Sequence, residues 1–192
     1  MIRRILGLPK NFGKWEGNTY LNNFDSQQMR FLQDNKHSVL VIPPLSEGNI
    51  PLLSDTAKGM LHRYIATGHN TVIVTGGPAS IDFVNQNLLG DNPGGQLLEP
   101  AWTRGPYEKQ EASIGTPFQT APVSMPNDLN HVHGARIQSL PQEAVSYYET
   151  NGVSVVFSVK MGQGQLLYVG FDYSLMSKPW VKTMIAGMEF AS

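Results

Sequence analysis

Short runs of consecutive apolar residues recur along the first half of the chain, and each is followed by a helical pattern. The runs lie at residues 5–9, 38–42 and 71–75, and the helical patterns at about residues 25–35, 54–68 and 81–89. A strand without alternation is typical of a sheet covered on both faces, and successive parallel strands need a crossover helix between them. The pattern therefore predicts an α/β fold with a parallel sheet between helices.

The second half of the chain departs from this alternation. Residues 91–125 are rich in glycine and proline and predict a long excursion over the sheet edge. Residues 143–148 are compatible with either a short helix or a strand approach. No repeat or linker divides the chain, and its length suits one core, so residues 1–192 are predicted to form a single domain.

A hairpin and a helix are predicted near the end of the chain. Residues 153–158 and 165–169 have the composition of two strands, and Met161-Gly-Gln-Gly164 supplies a turn between them. Residues 179–190 follow as a helix, whose proline suits the first turn. The sequence thus predicts an antiparallel hairpin beside the parallel strands.

Composition excludes several classes of protein. The chain has no cysteine, which removes disulfides, thiolate metal sites and a cysteine nucleophile. Its 14 basic and 15 acidic residues give a formal net charge of −1, whereas a nucleic-acid-binding surface carries a basic excess. No apolar run has the length of a membrane span or of a signal-peptide core. Neither nucleic acid nor a membrane span is expected, and compartment and oligomeric state stay open.

Two motifs carry a resemblance to a known superfamily. Thr75-Gly-Gly-Pro-Ala-Ser80, after an apolar strand, resembles the Ser-Gly-Gly-Pro-x-Ser segment of class I glutamine amidotransferases. Residues 162–172, followed by Trp180, resemble the closing hairpin of the trehalose-utilisation-protein-like branch. Order and spacing agree over most of the chain, with residues 91–125 poorly matched. The resemblance implies a flavodoxin-like three-layer sandwich, with a mainly parallel sheet and a C-terminal antiparallel hairpin.

The chain lacks both members of the catalytic dyad that the resemblance implies. Active amidotransferases attack the glutamine amide with a cysteine thiolate, and this chain has no cysteine. The base of the family lies in a Phe-His-Pro-Glu segment after the last strand, where this chain has Phe171-Asp-Tyr-Ser174. Glutaminase activity is therefore excluded on chemical grounds, and no catalytic residue is assigned.

The glycine turn after the third apolar run is a candidate ligand site. Gly76 and Gly77 could present backbone N–H groups to an anion at the start of the following helix. The alternative is a sharp turn that needs glycine for conformational reasons, and this is favoured. Ser80 could act as a nucleophile, but the glycines of a nucleophile elbow are absent, so a helix cap is favoured.

Asp172 and Tyr173 form a second candidate site, at the carboxyl end of a strand where α/β folds place ligands. Trp102 and Arg104, with Glu99, could reach them from the long excursion and line a pocket. The alternative is that Asp172 only holds the following turn through an Asx hydrogen bond. Both interpretations remain open.

Two further groups of side chains have weaker functional interpretations. His131-Val-His133 would place two imidazoles on one face of an extended segment near Asp128, a partial zinc set, but no third ligand is evident, so no metal is assigned and surface histidines are favoured. An aromatic-rich loop could dock a sugar or a protein, although anchoring the loop on the core is favoured. Its aromatic residues are Phe12, Trp15, Tyr20 and Phe24.

The sequence favours a non-catalytic amidotransferase-like domain that acts as a binding or assembly module. Its partner would be an unknown protein or a small polar or carbohydrate ligand, and no cofactor is expected. The alternative is a hydrolase of a small polar or carbohydrate substrate that uses Asp172 at the carboxyl end of the sheet.

Overall fold

The computed structural model describes residues 36–90, 96–127 and 130–191. The strand predicted at residues 5–9, the helix at residues 25–35 and the aromatic loop lie outside the described residues, as does Asp128. Within the described part, nine strands form one mixed sheet with three α-helices packed against it. The predicted α/β class is therefore confirmed there.

The elements predicted after residue 36 all occur. The strands are β1 (Val39–Ile42), β2 (Thr71–Thr75), β3 (Pro100–Ala101), β4 (Tyr107–Lys109), β5 (Ser124–Met125), β6 (Gly134–Arg136), β7 (Ala144–Thr150), β8 (Val153–Met161) and β9 (Gly164–Val169). The α-helices are α1 (Asp55–Ala66), α2 (Pro78–Val84), which continues as a π-helical turn over Asn85–Leu89, and α3 (Lys178–Met188). The segment for which helix and strand were both open is the strand β7.

The sheet changes direction at its centre. The strand order is β1-β2-β9-β8-β7-β4-β5, with β6 pairing to the start of β8 and β3 pairing to β6. Among the described strands, parallel pairing is confined to β1 with β2 and β2 with β9. The prediction of a mainly parallel sheet is therefore not confirmed, whereas the antiparallel hairpin of β8 and β9 is. The reason is that short turns join β7 to β8 and β8 to β9, and a short turn joins only antiparallel strands.

Helices cover both faces of the parallel part. Val72 and Val74 of β2 point into a core formed with α1 and α2, whereas Ile73 points to the opposite face, where α3 packs. All five residues of β2 are buried. Each fully buried Val or Ile contributes about 1.5–3 kcal/mol by leaving water, so the central position of β2 explains its continuous apolar run.

The start of α1 follows the predicted capping pattern. Ser54 is the N-cap, and its hydroxyl accepts a hydrogen bond from the backbone N–H of Ala57 at 3.3 Å. Gly68, two residues after the helix ends, has φ +81°, a conformation that glycine adopts without strain. Across the described residues, no helix combines the length and the apolar character that a membrane crossing requires.

Candidate functional site

The carboxyl ends of β2 and β9 lie side by side because these strands are parallel neighbours. The Gly76 N–H donates to the Val169 carbonyl at 3.2 Å, which joins the two strand ends. The residues that follow, Gly76 and Gly77 after β2 and residues 170–174 after β9, form what we term the carboxyl edge. Two of the predicted sites therefore meet here.

Gly76 has the conformation that the turn interpretation requires. Its φ is +109°, and a Cβ at this position would lie 2.8 Å from Pro44 Cβ and 2.9 Å from Pro44 Cα. The Tyr168 hydroxyl donates a hydrogen bond to the Gly76 carbonyl and so holds the turn in place. Glycine is therefore needed at position 76 for the backbone conformation of the turn, which is the interpretation that the sequence favours.

Ser80 lies behind the turn and is fully buried. Its hydroxyl donates to the Thr75 carbonyl at 2.7 Å and accepts from the Leu45 N–H at 3.2 Å. The N-cap of α2 is Gly77, so the interpretation of Ser80 as the cap is wrong. The physical reason is that Pro78 already occupies the first turn, and Ser80 satisfies backbone groups at the end of β2 instead.

Asp172 binds a histidine that comes from a distant part of the chain. Its Oδ2 accepts from His131 Nδ1–H at 2.6 Å, and its Oδ1 accepts from the Ser174 backbone N–H at 2.8 Å. The Ser174 hydroxyl lies 3.2 Å from the same nitrogen of His131. The Asx turn considered from the sequence therefore exists, and the same carboxylate also orients an imidazole.

The charge of Asp172 is stabilised in this arrangement. Partial burial raises its pKa, but the hydrogen bonds from Ser174 and His131 outweigh burial and hold the pKa of Asp172 below its usual value. An ionised carboxylate only accepts hydrogen bonds, so His131 Nδ1 carries the proton between them. In the neutral imidazole, the lone pair is then on Nε2. About a third of each side chain is exposed, 33% for His131 and 31% for Asp172.

The segment before β6 is held against the segment after β9 by backbone pairing. Val132 and Phe171 form an antiparallel bridge, the Asp172 N–H donates to the His131 carbonyl, and the His133 N–H donates to the Gly170 carbonyl. A Cβ on Gly170 would collide with the carbonyl oxygen of His133. Glycine at 170 therefore permits the close approach that brings His131 to Asp172.

His133 lies beside the glycine turn. A Cβ on Gly77 would stand 3.4 Å from His133 Nδ1, an ordinary contact distance. Burial lowers the pKa of His133, the negative charges of Asp172 and Glu47 partly offset this, and His131 lowers the pKa further. His133 is therefore neutral near pH 7, and Glu47 brings a second carboxylate towards the carboxyl edge from the loop between β1 and α1.

Tyr173 does not present its side chain to this edge. Its ring is buried against Phe171, and its hydroxyl donates to the Trp180 carbonyl at 3.0 Å. Its backbone φ is +54°, which is unusual for an aromatic residue. Tyr173 thus contributes through its backbone, which turns between Asp172 and Ser174.

The three candidate residues from the long excursion, Glu99, Trp102 and Arg104, do not lie together. Trp102 follows β3 directly, and the β3 residue Ala101 pairs with Gly134, the neighbour of His133. Trp102 is 48% exposed, and Arg104 is exposed two residues further on. Glu99 instead forms an ion pair with Arg136 at the far end of β6. The structure therefore places Trp102 directly after the residue that pairs with Gly134, and it pairs Glu99 with Arg136.

No group of three or more metal-ligating side chains occurs among the described residues. The Nδ1 of His131 and the Oδ2 of Asp172 satisfy each other. The sequence assigned no catalytic or ligand role to His131 and His133, the two histidines of the site. The spacing His131-Val-His133 marks one face of an extended segment, but nothing local indicates that Asp172, 41 residues away, is its partner.

No protein-family model matches the chain, and no curated protein is significantly similar to it. Among solved structures, it is similar to the cytoplasmic protein STM3548 from Salmonella typhimurium, with a TM-score of 0.55 and 11% identity, over 90% of this chain and 76% of that chain. It is also similar to the exo-β-1,4-mannosidase Op5Man5 from Opitutaceae bacterium strain TAV5, with a TM-score of 0.37 and 12% identity, over 80% of this chain and 24% of that chain. The first similarity concerns the fold alone, and the second is too low to carry an argument.

Proposed function

We propose that the chain is a hydrolase of a small polar substrate, with the carboxyl edge as its active site. The observation that carries the proposal is the 2.6 Å hydrogen bond between Asp172 Oδ2 and His131 Nδ1. The sequence favours a non-catalytic module because the cysteine and the histidine of the amidotransferase dyad are missing and no replacement for them is evident. The pair supplies a base from a segment that the sequence could not connect to Asp172.

The physical reason is the effect of a carboxylate on an imidazole. A carboxylate on Nδ1 holds the ring in one orientation and one tautomer, and it stabilises the imidazolium that forms when Nε2 takes a proton. Histidine is the side chain that most often acts as a general acid or base in enzymes. His131 is oriented in this way and remains a third exposed, so a substrate or a water molecule can reach it.

The proposal includes an amidotransferase-like ancestry. The sharp turn at Gly76 after a buried parallel strand and the hairpin of β8 and β9 support it. The chemistry would nevertheless differ, because the chain has no thiol and its histidine comes from before β6 instead of after the last strand. Glutamine hydrolysis through a thioester is therefore not part of the proposal.

The test is a panel of small esters and glycosides incubated with the purified chain. We expect turnover that follows the protein through purification and is lost in Asp172→Asn, since an amide in place of the carboxylate no longer fixes the useful tautomer. Asp82→Asn makes the same chemical change on α2 and is the matched control. Turnover that is equal in the two variants would refute the proposal.

A second candidate, a non-catalytic binding or assembly module, has one observation in its favour. Ser174 Oγ and Asp172 Oδ2 contact the same nitrogen of His131, so this hydroxyl is not placed on Nε2 as an attacking group. Trp102, which follows the β3 residue paired with Gly134, is also exposed, and an exposed aromatic ring suits a sugar or a protein partner. Ligands that raise the melting temperature without being turned over would favour this candidate.

A further inference from the structure

We infer that His131 activates a water molecule directly through Nε2, and that the substrate is a small carboxylic ester hydrolysed without a covalent acyl-enzyme. The inference rests on the proposed hydrolase and deepens it, because it names the base, the attacking group and the substrate class. It follows from the side of the imidazole to which each neighbour binds.

Within the described part of the chain, the two side chains that hydrogen-bond to the His131 ring both lie at Nδ1. Asp172 Oδ2 is at 2.6 Å and Ser174 Oγ at 3.2 Å from this atom. A serine nucleophile has to give its proton to the imidazole nitrogen that the carboxylate does not occupy. Ser174 is on the occupied nitrogen, so it positions the ring, and the proton that Nε2 removes must come from water.

Backbone strain beside the pair is an independent observation. Tyr173, between Asp172 and Ser174, has φ +54°. Such a conformation costs an aromatic residue about 1–3 kcal/mol and persists where the surroundings enforce it, often at functional sites. Here the buried ring of Tyr173 and its hydrogen bond to Trp180 enforce the turn that aims Asp172 at His131.

The protonation of Asp172 argues for an ester over a glycoside. Glycoside hydrolysis needs a carboxylic acid that protonates the leaving oxygen, beside a second carboxylate. The pKa of Asp172 is lowered by its hydrogen bonds, after the opposing effect of burial, and both of its oxygens are engaged. Asp172 therefore stays ionised and cannot act as that acid. Ester hydrolysis needs only one group that takes a proton from water and returns it to the leaving alkoxide, and a single imidazole can do both.

The reaction balances with water as the second reactant. Nε2 of His131 takes a proton from water while the water oxygen bonds to the ester carbonyl carbon and the π pair moves to the carbonyl oxygen. On collapse, the bond from carbon to the alcohol oxygen breaks, and Nε2–H returns the proton to the leaving alkoxide. The products are a carboxylic acid and an alcohol, and His131 is regenerated.

The experiment uses the purified full chain and 4-nitrophenyl acetate as the probe. We expect His131→Gln to lower kcat/KM by about 100-fold or more, the usual contribution of a general base. Ser174→Ala should lower it by less than about tenfold, because positioning is weaker than proton transfer. His69→Asn is the matched control, since His69 has φ +56°, which asparagine accepts, and stacks on His37 away from the site. Its rate should equal that of the wild type.

Two kinetic outcomes overturn the inference in different ways. A burst of nitrophenol stoichiometric with the enzyme, abolished by Ser174→Ala, would replace the water mechanism by a serine nucleophile and leave the hydrolase intact. A wild-type rate no higher than that of five equivalents of free imidazole, the number of histidines in the chain, would refute the hydrolase as well.

The tautomer of His131 can be measured in the wild-type chain, so the inference can be tested even if a variant fails to fold. Nitrogen-15 NMR of the histidines in the wild-type chain should show His131 with its proton on Nδ1 at neutral pH. Asp172→Asn should shift the proton towards Nε2 and lower kcat/KM at the same time. A wild-type His131 protonated on Nε2 would overturn the inference whatever the rates are.

Discussion

Replacement of Gly76 by alanine tests whether the glycine turn serves the backbone. The new Cβ would lie 2.8 Å from Pro44 Cβ and 2.9 Å from Pro44 Cα, and the residue would keep φ near +109°. The left-handed conformation costs about 1–2 kcal/mol, and forcing apart a packed contact that includes backbone costs about 1–3 kcal/mol. We therefore expect Gly76→Ala to lower the free energy of unfolding by about 2–5 kcal/mol, or the melting temperature by roughly 4–20 °C for a chain of this length.

Gly77→Ala is the matched control in the neighbouring position. Gly77 has φ −94°, which alanine adopts freely, and its Cβ would meet His133 Nδ1 at an ordinary 3.4 Å. We expect a change within about 1 kcal/mol, because the lost freedom of the unfolded chain offsets the tighter contact.

Urea denaturation followed by circular dichroism measures both free energies, with and without phosphate. The loss in Gly76→Ala should appear without any anion, because it arises from the backbone. A Gly76→Ala variant as stable as the wild type would refute the steric argument. A phosphate-dependent stabilisation lost in Gly77→Ala would show that the turn holds an anion instead.

Three further predictions concern the carboxyl edge. The pKa of Asp172 is lower in the folded chain, so its stabilising effect is complete above the unfolded value of about 3.9 and is lost as pH falls through the lower folded pKa. The difference in unfolding free energy between wild type and Asp172→Asn should therefore shrink below about pH 4. A difference that grows on acidification would contradict this. The NMR titration midpoint of His133 should lie below the ordinary value of about 6.5 and fall further in Asp172→Asn, which removes a charge that raises its pKa; an unchanged midpoint would mean that the two groups do not interact. Tyr173→Phe removes the hydrogen bond to the Trp180 carbonyl, so denaturation should show a loss of about 0.5–1.5 kcal/mol, and a neutral effect would show that the hydroxyl does not hold the turn.

Part of the fold follows from local patterns. The strands β1, β2, β8 and β9 and the three helices occur where runs of apolar residues, helical periodicity and turn residues predict them. These signals are local because a helix and a strand are each specified by side-chain spacing within one segment. The tight turn of the last hairpin is predictable for the same reason.

The sheet direction and the short strands of the long excursion depend on distant partners. Tyr107–Lys109 is a strand because it pairs with β7. The sequence left helix and strand open for the segment that forms β7. Glycine and proline in the excursion mark bends, but they do not indicate which neighbour the backbone will pair with. A sheet that looks mainly parallel from its first strands becomes mixed for this reason.

The candidate site shows the same division. Its position is predictable, since Asp172 follows a buried strand and Gly76 needs a sharp turn, and both are properties of a few adjacent residues. Its chemistry is decided by the tertiary structure, because Gly170 lets the segment of His131 approach closely enough for a 2.6 Å hydrogen bond. A proton-accepting pair depends on distance and orientation between side chains 41 residues apart, and only the packed fold sets these.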